Sequence, residues 1–156
     1  MVELITEEGF KKLNKEFKYL TGVKRKEITV LMNDQASENT SLEENTGLKV
    51  VLEESELVEK RINLLNNILT NAVVKTMEEG NISKVIFGST CEIEDLDTGD
   101  KEIYKLVGEY ESQPEHKIIS YKSPFAKHLL GKERGEEVSF VLNNFEKNFE
   151  IIDIYI

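Results

Sequence analysis

Cysteine occurs once in the 156 residues, at Cys91. No disulfide can close within the chain, and a reducing, cytoplasmic setting is expected. Proline is nearly absent. None precedes Pro114, so nothing forces a kink in the first two thirds of the chain. The two histidines, His116 and His128, have no cysteine or second histidine at metal-ligand spacing, which excludes a structural zinc site. No apolar run is long enough to span a membrane, and Met1-Val2-Glu3-Leu4 shows no basic region followed by an apolar stretch, so neither a span nor a signal peptide is expected. Basic residues are in deficit, 20 against 30 acidic, for a net charge of −10. That balance argues against general duplex DNA binding driven by phosphate neutralisation, although not against nucleic-acid contact inside a larger complex. Gly88-Ser89-Thr90 lacks the lysine of a phosphate loop. Cys91 has no local basic partner and reads as a small buried residue rather than a nucleophile.

What the chain does have is helical periodicity. Thr6 is placed to cap a helix, and Phe10, Leu13, Phe17 and Leu20 follow at alternating three-and-four spacing. This seam weakens through Lys24 and Glu27 and resumes at Leu31. After the polar break Asn39–Asn45, a second seam runs Leu48, Val51, Ser55, Val58, Ile62, Leu65, Leu69 and Ala72. The pattern predicts an antiparallel two-helix coiled coil, Thr6 to about Glu38 and about Glu44 to Ala72, with arms on the order of 45 Å. Such a rod is either a bundle or dimerisation arm, or a probe that carries its tip into something deep.

The helical period stops at Glu78-Glu79-Gly80-Asn81. Short strands are expected at Val85-Ile86-Phe87, around Cys91–Asp95, at Ile103–Val107, Lys117–Tyr121, Val138–Val141 and Phe149–Ile156, with Asp97-Thr98-Gly99-Asp100 as a hairpin turn. Ser123 to Gly131 reads as a short helix with Ser123 as cap and Pro124 in its first turn. The fold class is α+β: a coiled coil over 1–76, a linker over 77–83, and a small antiparallel sheet domain with one short helix over 84–156.

Several segments together resemble a known family. Leu4-Ile5-Thr6-Glu7-Glu8-Gly9-Phe10-Lys11-Lys12-Leu13, Lys24-Arg25-Lys26-Glu27-Ile28, Val85–Thr90, Tyr104–Gly108, Ile119–Pro124 and Leu129–Lys132 followed by Gly135 are similar, in order and spacing, to bacterial Gre-type transcript cleavage factors. Lys26 stands where that family usually has proline. The resemblance implies an FKBP-like second domain that docks at the rim of the RNA polymerase secondary channel, through Ser123, Pro124, Phe125 and Lys127. Read from the residues alone, these four are also only a helix start, with Phe125 in the core.

The resemblance further implies a monomeric accessory factor, not itself an enzyme. Its coiled-coil tip reaches the polymerase active centre and stimulates hydrolysis of backtracked RNA. Mg²⁺ is shared with polymerase, and none is bound by the free protein. Glu44 matches the retained glutamate of the tip, whereas Ser41 replaces the expected aspartate and Glu43 a usually basic residue. Gly47 and Leu48 replace an acidic and aromatic pair. Glu44, Ser41 and Glu43 are thus the candidate catalytic positions, with Glu44 as metal ligand. The tip glutamates also read as solvated charges at a helix start. Lys24, Arg25, Lys26, Lys60 and Arg61 are candidates to face the nascent RNA 3′ end, or else belong to a solvated flank with pairs such as Glu56 and Lys60. Because of Ser41, the alternative is a channel regulator that binds polymerase without promoting cleavage. A peptide-binding or prolyl isomerase-like role for the second domain rests on fold analogy alone.

Overall fold

The structure is a computed structural model that describes residues 2–37, 41 and 44–156. Its elements are β1 (Glu3–Thr6), α1 (Glu7–Tyr19), a π-helical segment (Leu20–Lys24), α2 (Arg25–Ala36), α3 (Thr46–Asn71), β2 (Ala72–Lys75), β3 (Thr90–Asp95), β4 (Lys101–Val107), β5 (Ile118–Ser120), α4 (Pro124–Leu129), β6 (Glu137–Leu142) and β7 (Phe145–Tyr155). They form two compact units, Phe10–Ala72 and Met1–Gly9 with Val73–Ile156.

The first unit is the expected helical hairpin. In α3, Val51, Ile62, Leu65 and Ile68 are buried and Ser55, Val58 and Leu69 half-buried, as the seam requires. In the first arm the seam departs from expectation. Leu31 is 44% exposed, and the inward positions are Ile28, Met32 and Gln35. The cause is the π-helical segment. The Arg25 N–H donates to the Leu20 carbonyl, five residues back instead of four. One extra residue is absorbed there, so inward positions that regular spacing would place at 27, 31 and 34 move to 28, 32 and 35. Deleting Gly22, which lies in this segment with open space around it, should therefore restore a regular helix without changing the packed face. We expect the melting temperature to hold or rise by a few degrees, since glycine costs about 1 kcal/mol in a helix. Deleting Asn63 from the regular α3 should lower it sharply. A large loss on deleting Gly22 would refute the phase-shift account.

The second unit holds a five-stranded sheet in the order β5-β4-β3-β7-β6 and a two-stranded sheet of β1 and β2. Its ladders are antiparallel except at the edge, where β5 runs parallel to β4, so the larger sheet is mixed rather than purely antiparallel. The crossover comes from two short 3-10 turns, Glu109–Glu111 and Pro114–His116, which carry the chain back to the same end of the sheet before β5. The β3–β4 hairpin turns at the expected residues 97–100. Val85-Ile86-Phe87 is not a strand. Val85 is fully buried, but its N–H goes to the Lys132 carbonyl and its carbonyl accepts from Gly131, so it packs as a loop tied to the end of α4. The core gathers Cys91, Ile93, Leu106, Ala126, Leu129, Ile151 and Ile154. Burial pushes the Cys91 thiol up to about 12, in keeping with an inert packing role.

β1 and β2 escape sequence reading because four-residue strands abut helix ends. What seats β1 is Glu111. Its carboxylate accepts from the Thr6 and Gly108 N–H groups at 2.9 and 3.1 Å and from the Thr6 hydroxyl. Gly108 is required by this close approach, since a Cβ there would lie 2.4 Å from the Leu4 carbonyl oxygen. The Thr6 hydroxyl in turn accepts from the Gly9 N–H at 3.0 Å, which is the expected cap of α1.

Candidate functional site

The end of the hairpin is built around Asn45, only 5% exposed. Its Oδ1 accepts from the Leu48 N–H at 2.9 Å, capping α3, while its Nδ2 donates to the Gln35 carbonyl of α2 at 2.8 Å. One side chain thus starts the second arm and ties it to the first. α3 consequently begins at Thr46, one residue after this cap, and not at Glu44. Gly47 leaves room for the Gln35 side chain, since a Cβ there would fall 2.1 Å from its Oε1.

Ser41 and Glu44 belong to the turn just before the cap. The Ser41 carbonyl accepts from the N–H groups of Glu44 and Asn45, both at 3.0 Å. Both residues are exposed, and among the described residues neither side chain has a partner. The structure therefore brings Ser41 and Glu44 together at one solvent-facing turn. Glu43 lies outside the described residues. Among the described residues no group of three histidine, cysteine, aspartate or glutamate side chains could hold a metal ion. Glu44 is the single described carboxylate of this turn, a donor set suited to contributing one ligand to an ion held elsewhere and not to holding one alone.

Four of the five basic candidates on the arms already have carboxylate partners. Arg25 makes a bidentate pair with Glu59 at 2.8 Å for both contacts, and Arg61 another with Glu16 at 2.7 and 2.8 Å. Lys24 meets Glu54 at 2.6 Å, and Lys60 meets Glu56 within α3 at 2.7 Å. Lys26 is exposed and has no ion-pair partner among the described residues. Side-chain hydrogen bonding from Arg61, Arg25 and Lys60 holds the carboxyls of Glu16, Glu59 and Glu56 below the ordinary glutamate range. A carboxylate whose folded value is depressed adds stability above its unfolded value, near 4.3, and loses it as pH falls through the folded one. The helical signal of the arms is thus expected to hold from neutrality to about pH 5 and to decline below about pH 4. A far-ultraviolet circular dichroism titration checks this, and Glu16→Gln should flatten part of the decline.

In the other unit, Ser123, Pro124 and Phe125 line a cavity of about 660 Å³, whereas Lys127 is exposed and not among its lining residues. Ser123 caps α4 by accepting from the Ala126 N–H at 3.2 Å. Phe125 is half-buried and meets Tyr104, Phe140 and Phe149 edge-on, with ring centroids 5.1, 5.2 and 5.7 Å away. It is therefore both a core neighbour and a cavity wall. The sequence reading did not assemble Tyr104, Phe140 and Phe149 into one site, because they come from β4, β6 and β7. The rim is polar: Asp95 accepts from the Asp97 and Thr98 N–H groups and pairs with Lys147 at 3.2 Å, which together hold its carboxyl low.

Two family profiles account for the whole arrangement. "Transcription elongation factor, N-terminal" matches residues 3–74, and "Transcription elongation factor, GreA/GreB, C-term" matches residues 79–156. The chain belongs to the GreA/GreB family of transcription elongation factors. Among GreA/GreB relatives, it is 41% identical over 149 residues to transcription elongation factor GreA of Nautilia profundicola, covering 96% of this chain and 91% of that one. It is 40% identical over 153 residues to GreA of Helicobacter hepaticus, covering 98% and 93%. A solved structure of GreA factor homolog 1 from Thermus thermophilus aligns over 99% of both chains at 25% identity, with a TM-score of 0.45. No helix among the described residues is long and apolar enough to cross a membrane.

Proposed function

We propose that this GreA-type factor is an accessory protein of RNA polymerase that promotes hydrolysis of backtracked nascent RNA, acting in the cytoplasm. The observation that carries the reading is the exposed Glu44, without a side-chain partner among the described residues, at the end of a long helical hairpin and one residue before a buried cap. The hairpin acts as the probe entering the secondary channel, and the unit with the aromatic cavity docks at the rim through Ser123, Pro124 and Phe125, with Lys127 beside them. A divalent ion held mainly by polymerase supplies Lewis-acid stabilisation of the phosphodiester oxygens. This chain's part is to offer the Glu44 carboxylate to that centre, to orient water through the Ser41 hydroxyl, and to keep both on a turn locked by Asn45. Mg²⁺ suits this division, since it takes hard oxygen ligands from several sources.

Charge is divided to match. Residues 10–72 carry ten lysines and arginines and ten aspartates and glutamates, so the net −10 falls entirely in the other unit. A docking surface of opposite sign on the partner follows, with association slowed by salt. Lys26 is the basic residue readiest to face RNA; Lys24, Arg25, Lys60 and Arg61 would first have to release a glutamate.

Ser41 favours a second reading, a factor that occupies the channel without raising cleavage, because a hydroxyl brings no charge to the metal centre. The deciding experiment measures RNA cleavage in a backtracked elongation complex with cognate polymerase and Mg²⁺, with and without wild-type factor, beside a separate polymerase-binding assay. Binding with accelerated cleavage supports the first reading. Binding without acceleration selects the second, and no binding removes both.

A further inference from the structure

Three apolar side chains of α3 face solvent in a row. Val50, Leu57 and Leu64 are 58%, 67% and 38% exposed and recur every seven residues, off the inward seam of Val51, Val58 and Leu65. On one side of this stripe lie Glu53 and Lys60, and on the other Glu54 and Arg61. The arrangement is symmetric about Leu57: apolar positions fall seven residues before and after it, acids three and four before, bases three and four after.

We propose that this flank of α3 is a homodimer face, on which a second copy of the chain packs antiparallel with Leu57 at the two-fold axis. Val50 then meets the second copy's Leu64, and the reverse. In an antiparallel pair, equivalent heptad positions on the same side of the seam come together, so Glu53 faces the second copy's Lys60 and Glu54 its Arg61, each twice. A parallel pairing would bring opposite sides of the seam together and set Glu53 on the second copy's Glu54 and Lys60 on its Arg61, like on like, so the charges select one direction. Glu53 has no partner among the described residues, whereas Lys60 is held within α3 by Glu56 at 2.7 Å and would be shared between the two carboxylates. Glu54 and Arg61 are already held by Lys24 and Glu16 at 2.6 and 2.7 Å, and the second copy extends these pairs into alternating rows. The even division of charge over residues 10–72 removes net repulsion between two rods. With three apolar side chains per copy the interface is small, so the dimer is weak and reversible. The monomer expected from the sequence is its dilute form and the form free to engage a larger partner. The inference goes beyond the proposed function and does not depend on it.

Sedimentation equilibrium of the full chain tests it, up to about 1 mM, where weak association is populated. Apparent mass should rise toward twice the monomer in wild type and stay monomeric in Leu57→Glu, a substitution at an exposed site whose folding is verified by circular dichroism. Lys60→Glu alone should weaken association, and Glu53→Lys with Lys60→Glu should restore it. Under mild oxidation Leu57→Cys should cross-link to itself and Val50→Cys only to Leu64→Cys; buried Cys91 does not compete. Monomeric wild type throughout, a dimer indifferent to Leu57→Glu, or Val50→Cys cross-linking to itself as fast as Leu57→Cys would each overturn the proposal. So would a monomer whose Leu57→Glu variant loses only polymerase binding, which would assign the stripe to polymerase.

Discussion

Glu44→Ala is expected to cut factor-stimulated RNA cleavage at least 10-fold at saturating factor, and Ser41→Asp to raise it roughly 10- to 100-fold, the range typical of one ligand-supporting group at a metal centre. The two residues share a turn in which Glu44 and Asn45 donate to the Ser41 carbonyl, so a carboxylate at position 41 emerges beside that of Glu44 without altering the backbone. No described side chain competes for Glu44, so its removal breaks nothing in the fold, and lost cleavage reports on chemistry alone. A neutral hydroxyl offers Mg²⁺ an oxygen without charge, whereas a carboxylate adds charge neutralisation where the reaction develops it. Both variants should bind polymerase as wild type does. Unchanged cleavage in Glu44→Ala would remove the role assigned to it. No gain in Ser41→Asp would mean that the serine is not what limits this tip.

The residues at which sequence reading succeeded and failed differ in how local their causes are. The α3 seam from Leu48 to Leu69 was legible because an uninterrupted helix keeps one period, and Thr6 and Ser123 because a cap is read from its own neighbourhood. Leu31 was misplaced because one hydrogen bond of the wrong length, Arg25 to Leu20, shifts the phase of everything after it. Val85-Ile86-Phe87 looked like a strand by composition, but the partners of Val85 are the carbonyl of Lys132 and the N–H of Gly131, 47 and 46 residues on. At the site, Ser41 and Glu44 came from resemblance. The neutralisation of Arg25 and Arg61 did not, since their glutamates lie 34 and 45 residues away and become visible only once the two arms are in register. The aromatic cavity was illegible for the same reason: its walls come from strands that meet only in the folded sheet.

Asn45→Ala should be the most damaging single change at the tip. It removes the cap to the Leu48 N–H and the tie to the Gln35 carbonyl together, and leaves both groups to find water at a site that is 95% shielded in its native form. Loss of a cap costs about 1 kcal/mol and an unsatisfied buried partner about 1–3 kcal/mol, so a total of roughly 2–4 kcal/mol is expected. Denaturant unfolding followed by circular dichroism gives that number, and hydrogen exchange should show the Leu48 amide losing protection first. The two bonds can be separated. Asn45→Asp keeps an oxygen for the Leu48 N–H but sets a carboxylate against the Gln35 carbonyl, so the helix stays capped while the arms are pushed apart. If the tie between arms is what orients Ser41 and Glu44, Asn45→Asp should retain α3 helicity and polymerase binding yet lose cleavage nearly as fully as Asn45→Ala. If the cap alone matters, Asn45→Asp should behave as wild type in all three measurements, and the tip would then be oriented by α3 without help from α2.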